Sequence, residues 1–336
     1  MASSQKGYEM MPPVPSEAFE VQAPQQAPAL DRIPLIDSAT AELLGGLSGI
    51  TILQKASWVE GLSQGVCEVR NKYTVHPGAG YESLSAPAVM SGMERSDNCT
   101  RCCCAPYHNL LLEFKHGPNP EAPTPAVFTM ERQGVCGKLP CCWVCSDTCR
   151  DGMILHAGAV HEGPDKAGKL SDYSRIIGSA KEAGGLCNCT PTLDLFDGVK
   201  PDHPNAKSSS TIHGPCFFGG CSEMCTESEF RVSRPPGRRL GDVAVIKKLR
   251  PRNFSEVCQE LCTDSDRYYI EFRDPSLTPQ QKATLLGGLM LTDYMFFEQD
   301  NGMVSCRHKE LTITCCLYYC GGCICPCKCV LRGNDN

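Results

Sequence analysis

For most of its length the chain alternates short apolar segments with turn-forming stretches, and the rhythm breaks once, near the C-terminus. The segments include NKYTV (Asn71 to Val75), NLLLEFKH (Asn109 to His116) and AVFTMER (Ala126 to Arg132). Further along come EFRVSR (Glu229 to Arg234), DVAVIKKL (Asp242 to Leu249) and RYYIEF (Arg267 to Phe272). Several repeat with a period of two, EFRVSR most clearly, and that spacing predicts half-buried antiparallel strands. There are no heptads and no alternating strand and helix patterns, which argues against a parallel α/β fold. The break is Ala283 to Glu298, ATLLGGLMLTDYMFFE, apolar around its whole circumference. A helix without a polar face is buried in a protein core or in lipid. From Ala283 to Phe297 it would rise roughly 22 Å, against a hydrocarbon core of about 30 Å. Asp293 would cost about 3 kcal/mol at a bilayer centre, and each Leu or Phe would return only about 0.5. Leu285, Leu286, Leu289, Leu291, Phe296 and Phe297 thus bring the sum only to near zero. The run predicts a helix sheathed by protein, and the many short strands before it predict a closed barrel as the sheath.

The flanks read differently. Residues 1–40 carry PPVP at Pro12 to Pro15 and further prolines among Gln and Ala, a composition that cannot bury a core and predicts a disordered tail. Pro12 to Pro15 would suit a polyproline-II-binding domain of the SH3 or WW type. A folded region is expected over 41–302, with Trp58-Val-Glu ahead of the first strands. After Glu298 the chain turns polar, and residues 303–336 form a tail with eight cysteines between Cys306 and Cys329, read as a separate module.

Composition changes this picture at one point. The 336 residues carry a net charge of −6, which gives no global pull toward nucleic acid, and none is expected as a partner. The unusual figure is 25 cysteines, an odd number. The N-terminal MASSQKGYEMMPPVP has no basic and no apolar region of a secretory signal, so a reducing compartment and free thiols are expected. Three readings of the cysteines stand side by side. Cys142-x2-Cys145 and Cys320-x2-Cys323 have the inner spacing of a zinc thiolate site. The cluster Cys136, Cys141, Cys142, Cys145 and Cys149, or the tail, would suit S-acylation, because two or more acyl chains anchor stably where one does not. Others, such as Cys67 and Cys258, would serve as small buried hydrophobes. Acylation is the reading preferred for the dense clusters.

A basic strip between Arg231 and Arg252 includes Arg238, Arg239, Lys247, Lys248, Arg250 and Arg252. Next to an anionic leaflet each such charge adds about 1 kcal/mol, although charge on a strand edge is also an ordinary guard against aggregation. Asp264-Ser-Asp266-Arg-Tyr268, followed by Asp274, offers the hard oxygen ligands that calcium takes. As an EF-hand loop it fails, with Tyr269 at the glycine position and Pro275 at the bidentate glutamate. No GxSxG, HExxH, GxxxxGK[ST] or post-strand GxGxxG occurs, and the eight histidines are scattered, so no catalytic site is expected.

In this order, these pieces resemble the phospholipid scramblase family. The landmarks are LLGGLSGITILQKASWVEG (Leu43 to Gly61), the Asn98-Cys-Thr-Arg-Cys-Cys-Cys-Ala-Pro stretch and HGPCFFGGC (His213 to Cys221). They continue with TDSDRYYIEF (Thr263 to Phe272) and LMLTDYMFFE (Leu289 to Glu298). The resemblance implies a tubby-like fold, a closed antiparallel β-barrel of about twelve strands around a central hydrophobic C-terminal helix. It also implies calcium-stimulated, ATP-independent, bidirectional movement of phospholipids between leaflets. The family's calcium segment maps onto Asp264, Asp266, Tyr268, Phe272 and, one place early, Asp274, with Arg273 where the family has Pro. Its acylated run looks like Cys136 to Cys149, interrupted here by Gly137 to Pro140. The expectation is a palmitoylated lipoprotein on the cytosolic face of a membrane, the plasma membrane foremost, with anionic phospholipid as partner. The rival reading is a lipid-tethered adaptor that binds headgroups or proteins and moves no lipid.

Overall fold

The computed structural model describes residues 35–55, 70–96, 108–132, 150–160, 175–184, 189–235, 241–257, 266–298, 304–307 and 310–332. Helix α1 (Ser38–Gly46) opens it, capped by the Asp37 carboxylate, which accepts from the Thr40 amide at 3.0 Å. Six strands follow: β1 (Gly49–Gln54), β2 (Lys72–Pro77), β3 (Met90–Arg95), β4 (Leu110–His116), β5 (Phe128–Arg132) and β6 (Gly152–Ala157). Then come β7 (Ile176–Glu182), β8 (Thr192–Asp197), β9 (Ser210–His213), the two-residue β10 (Phe217–Phe218) and β11 (Glu229–Ser233). β12 (Asp242–Lys248), β13 (Arg267–Phe272) and helix α2 (Pro279–Thr292) complete this part. The six apolar segments picked out by their pattern fall on β2, β4, β5, β11, β12 and β13. The folded region begins a few residues ahead of Ala41, and β1 precedes Trp58 rather than following it.

Twelve of these strands close a barrel in the order β1-β13-β12-β11-β9-β8-β7-β6-β5-β4-β3-β2, every neighbouring pair antiparallel. Closure removes the unpaired edges that an open sheet would expose. α2 runs inside, with every residue from Lys282 to Thr292 buried. A capping box starts it, the Gln281 amide donating to Thr278 Oγ1 at 3.2 Å and the Thr278 amide to Gln281 Oε1 at 3.1 Å. Each Leu or Phe that the barrel withdraws from water contributes about 2 kcal/mol. The two glycines in this apolar run allow the close fit. A Cβ on Gly287 would stand 2.8 Å from Met153 Cε, and one on Gly288 would stand 2.9 Å from Ile212 Cδ1.

At its N-terminal end α2 is tied to α1. Lys282 Nζ donates to the carbonyls of Leu44 (2.9 Å), Gly45 (3.1 Å) and Leu47 (2.7 Å), grouped where α1 ends, and so caps that end of the helix. Beyond α2 a π-helical turn, Asp293–Phe297, ends the buried rod. The cysteine-rich segment forms β14 (Val304–Arg307), β15 (Glu310–Cys320) and β16 (Cys323–Arg332). It is not set apart from the rest: β15 pairs with β10, and Tyr319 donates to Glu182 of β7 at 3.0 Å.

Candidate functional site

Because the strands alternate in direction, the segments that join them gather at two rims. At one rim β1, β3, β5, β7, β9 and β12 end, and β2, β4, β6, β8, β11 and β13 begin. The C-terminal end of α2 lies at this rim, and buried polar side chains converge on it. Asp293, first residue of the π-helical turn, accepts from Tyr268 at 2.5 Å and from Tyr73 at 3.0 Å. The Tyr268 hydroxyl also lies 2.8 Å from Asp266. Lys248 Nζ is 2.9 Å from Asp266 and 2.9 Å from Glu223, and it sits over the Phe297 ring at 4.4 Å. Next along the rim, Tyr294 donates to Glu94 at 3.1 Å, His108 Nε2 lies 3.2 Å from the same carboxylate, and Asn71 donates to Glu298. Farther round, Arg132 bonds Asp151 at 2.6 Å.

The electrostatics of this cluster follow from its burial. Withdrawal from water raises the Asp293 carboxyl to about 7, and the nearby charge of Asp266 adds to the rise. Burial, again reinforced by neighbouring charge, holds Tyr73, Tyr268 and Tyr294 well above the usual phenol value, so all three remain protonated donors. Tyr268 has one proton and two carboxylates within reach, so a protonated Asp293 satisfies the geometry with one negative charge fewer. Lys248 then balances Asp266 and Glu223. The arrangement can hold a proton or exchange it near neutral pH. It contains no paired nucleophile and base.

The scramblase family profile matches residues 28–299, which covers the whole barrel and its helix. The chain belongs to the scramblase family. It is 26% identical over 235 residues to phospholipid scramblase 2 of Bos taurus, covering 70% of this chain and 64% of that protein. It is 25% identical over 257 residues to phospholipid scramblase 1 of Homo sapiens, covering 76% of this chain and 65% of that protein. The match to phospholipid scramblase 1 of Mus musculus is of the same order, 25% over 232 residues, 69% of this chain and 56% of that protein. The chain thus spans about two thirds or less of the relatives it matches. No solved structure matches it significantly.

Those of the residues expected to bind calcium that are described lie dispersed along β13 and its flanks. Asp264 lies outside the described residues. Asp266 and Asp274 flank β13, which at about 3.3 Å per residue sets them some 26 Å apart, so one ion does not bridge them. Tyr268 points inward to Asp293, and Phe272 packs below Lys282 with 5.1 Å from ring centroid to Nζ. Asp274 is bonded by Ser276 and by Arg234 at 2.6 Å, which together hold its carboxyl below the usual value. Asp266 already faces an ammonium. Among the described residues no three His, Cys, Asp or Glu side chains converge as a metal site. The five-residue set therefore does not fit one calcium ion.

The basic strip is also divided. Arg238 and Arg239 lie outside the described residues. Lys247 pairs with Glu229 at 3.2 Å. Arg250 donates to the Cys225 carbonyl at 3.4 Å, and Arg252 stacks on the Tyr81 ring at 3.7 Å. Lys248 is not a membrane-facing charge, because the alternation of β12 turns it into the buried cluster. Cys136, Cys141, Cys142, Cys145 and Cys149 lie outside the described residues, as do Pro12 to Pro15. Of the helix residues, Leu285, Leu286, Leu289, Phe296 and Phe297 fill the barrel, and Asp293 anchors the polar cluster. Sequence reading missed Tyr73, Glu94, Asn71, Glu223 and Glu298. Glu94 did leave a trace, since it shares the inward parity of Met90 on β3 and is as fully buried.

Proposed function

We propose that this chain moves phospholipids between the leaflets of a membrane, in both directions and without ATP, from the cytosolic face and at the plasma membrane foremost. The family match across the barrel and helix supports this reading, together with relatives whose names are phospholipid scramblases. Attachment comes from acyl chains on Cys136, Cys141, Cys142, Cys145 and Cys149, and the N-terminal prolines offer a site for SH3- or WW-type partners. Calcium stimulation, which the resemblance implies, would rest on the Asp264–Asp266 end of its segment.

The test is reconstitution of the purified chain into vesicles carrying a fluorescent phospholipid, with no nucleotide present. Inner-leaflet probe should become accessible to an external quencher, and runs in calcium and in chelator report its contribution. Vesicles that contain protein and keep their inner-leaflet probe protected would favour the adaptor reading. One observation supports that rival: no helix among the described residues is long and apolar enough to cross a membrane, and α2 occupies the barrel interior. Acylation has its own readout. Hydroxylamine should release the cellular protein from membranes by cleaving thioesters, and retention after treatment would count against thioester anchoring.

A further inference from the structure

The cysteines are not spread over the fold. None occurs in a barrel strand, and none in a segment joining strands at the rim where α2 begins. All 25 lie in segments that join strand ends at the rim where α2 ends, or in the C-terminal stretch that forms β14 to β16. Both tryptophans, Trp58 and Trp143, belong to segments joined to that same rim. Among the described residues the exposed large apolar side chains are Phe217, Phe254, Val330 and Leu331, again in those segments or on β16.

The β15–β16 hairpin shows how this material is presented. Gly321 and Gly322 close it with positive φ of 56° and 87°, as a two-residue hairpin turn requires. Tyr319 and Leu317 of β15 are buried and face the barrel. The opposite parity faces outward. On β16 that parity is Cys323, Cys325, Cys327, Cys329 and Leu331, and the last four are exposed. Their partners on β15 are uncharged too, among them Tyr318, whose ring packs 5.2 Å from that of Phe217, itself 62% exposed. The result is a two-stranded face about 30 Å long without a charged side chain. Soluble surfaces seldom leave such a strip uncovered. Cysteine is a small apolar side chain here, and aromatic residues of this kind settle at the water–lipid boundary.

We infer that the chain meets a phospholipid bilayer end-on, through the outward face of the β15–β16 hairpin and Phe217, on the cysteine-bearing rim where α2 ends. This deepens the proposed function and rests on it for the choice of lipid as the occupant. The opposite rim, with Lys200 and Asp202 between β8 and β9, then points away from the membrane.

The test is co-sedimentation of the purified full chain with vesicles of phosphatidylcholine alone and of phosphatidylcholine with phosphatidylserine. Cys325→Glu/Cys329→Glu puts two charges on the exposed face, and Lys200→Glu makes the same change in net charge at the opposite rim. The double variant should lose roughly tenfold or more in vesicle affinity, with Lys200→Glu close to wild type. Hydrogen exchange at the β15–β16 amides of the unaltered chain should slow when vesicles are added. The inference is overturned if the double variant binds like wild type, or if Lys200→Glu is the variant that loses binding. It is also overturned if light scattering shows a wild-type dimer that the two glutamates split, since a second copy would then be what covers the face. Binding is scored without lipid movement, so a chain that docks this way and moves no lipid removes the proposed function and leaves the orientation standing.

Discussion

Asp293 and Lys248 show how burial rewrites what a charged residue does. Folding moves the Asp293 carboxyl from its usual 3.8 to about 7, chiefly by desolvation. A carboxyl that binds its proton more tightly when folded stabilises fully below its unfolded pKa, and that contribution is lost as pH rises through the folded value. Relative to Asp293→Asn, the wild type should therefore lose a few kcal/mol of stability between about pH 4 and about pH 8. Urea midpoints across that range check it, and parallel curves for the two proteins would contradict it. Lys248 sits between two carboxylates, and Lys248→Met leaves them facing each other in the barrel end. The expected loss is about 3–5 kcal/mol. Lys247→Met, removing a more exposed pair on the same strand, should cost about 1 kcal/mol or less. From the sequence the two lysines are indistinguishable members of one basic strip; only the inward parity at the end of β12 separates them.

At the scale of elements, the contact between α2 and the barrel wall is set by missing side chains. A Cβ on Gly178 of β7 would fall 2.2 Å from Thr284 Oγ1 and 3.0 Å from the Phe196 carbonyl oxygen. Gly178→Ala should thus destabilise by about 1–3 kcal/mol through overpacking. Thr284→Ala removes the nearer obstacle, so the double variant should recover part of the loss, a coupling that a double-mutant cycle in urea would measure. Additive effects would mean that α2 does not pass Gly178 as described. Elements with a plain two-residue period, such as β4, β11 and β13, were legible in the sequence. MSGMER of β3 and IIGSAKE of β7 were not, because a glycine, the same feature that lets an aromatic ring or the helix come close, interrupts their apolar parity.

For the molecule as a whole, the closed barrel was legible because one stretch, Ala283 to Phe297, left no polar face and too little apolar surplus to stand in lipid alone. The polar cluster at its end was largely illegible. Tyr73 and Asp293 are 220 positions apart, Tyr294 and Glu94 are 200 apart, and nothing local marks the partners. The hints were an aspartate inside an apolar run and the inward parity of Glu94 on β3. Spacing along the chain is a poor guide for a related reason: Asp266 and Asp274 are close in sequence, but the extended strand between them carries them toward opposite rims. All of this depends on α2 being housed by strands rather than by lipid. Amide hydrogen exchange of the lipid-free chain tests that most directly. Residues Ala283 to Thr292 should exchange only through global unfolding, among the slowest amides in the molecule; fast exchange there that slows only when vesicles are added would place the helix in the membrane and contradict the account.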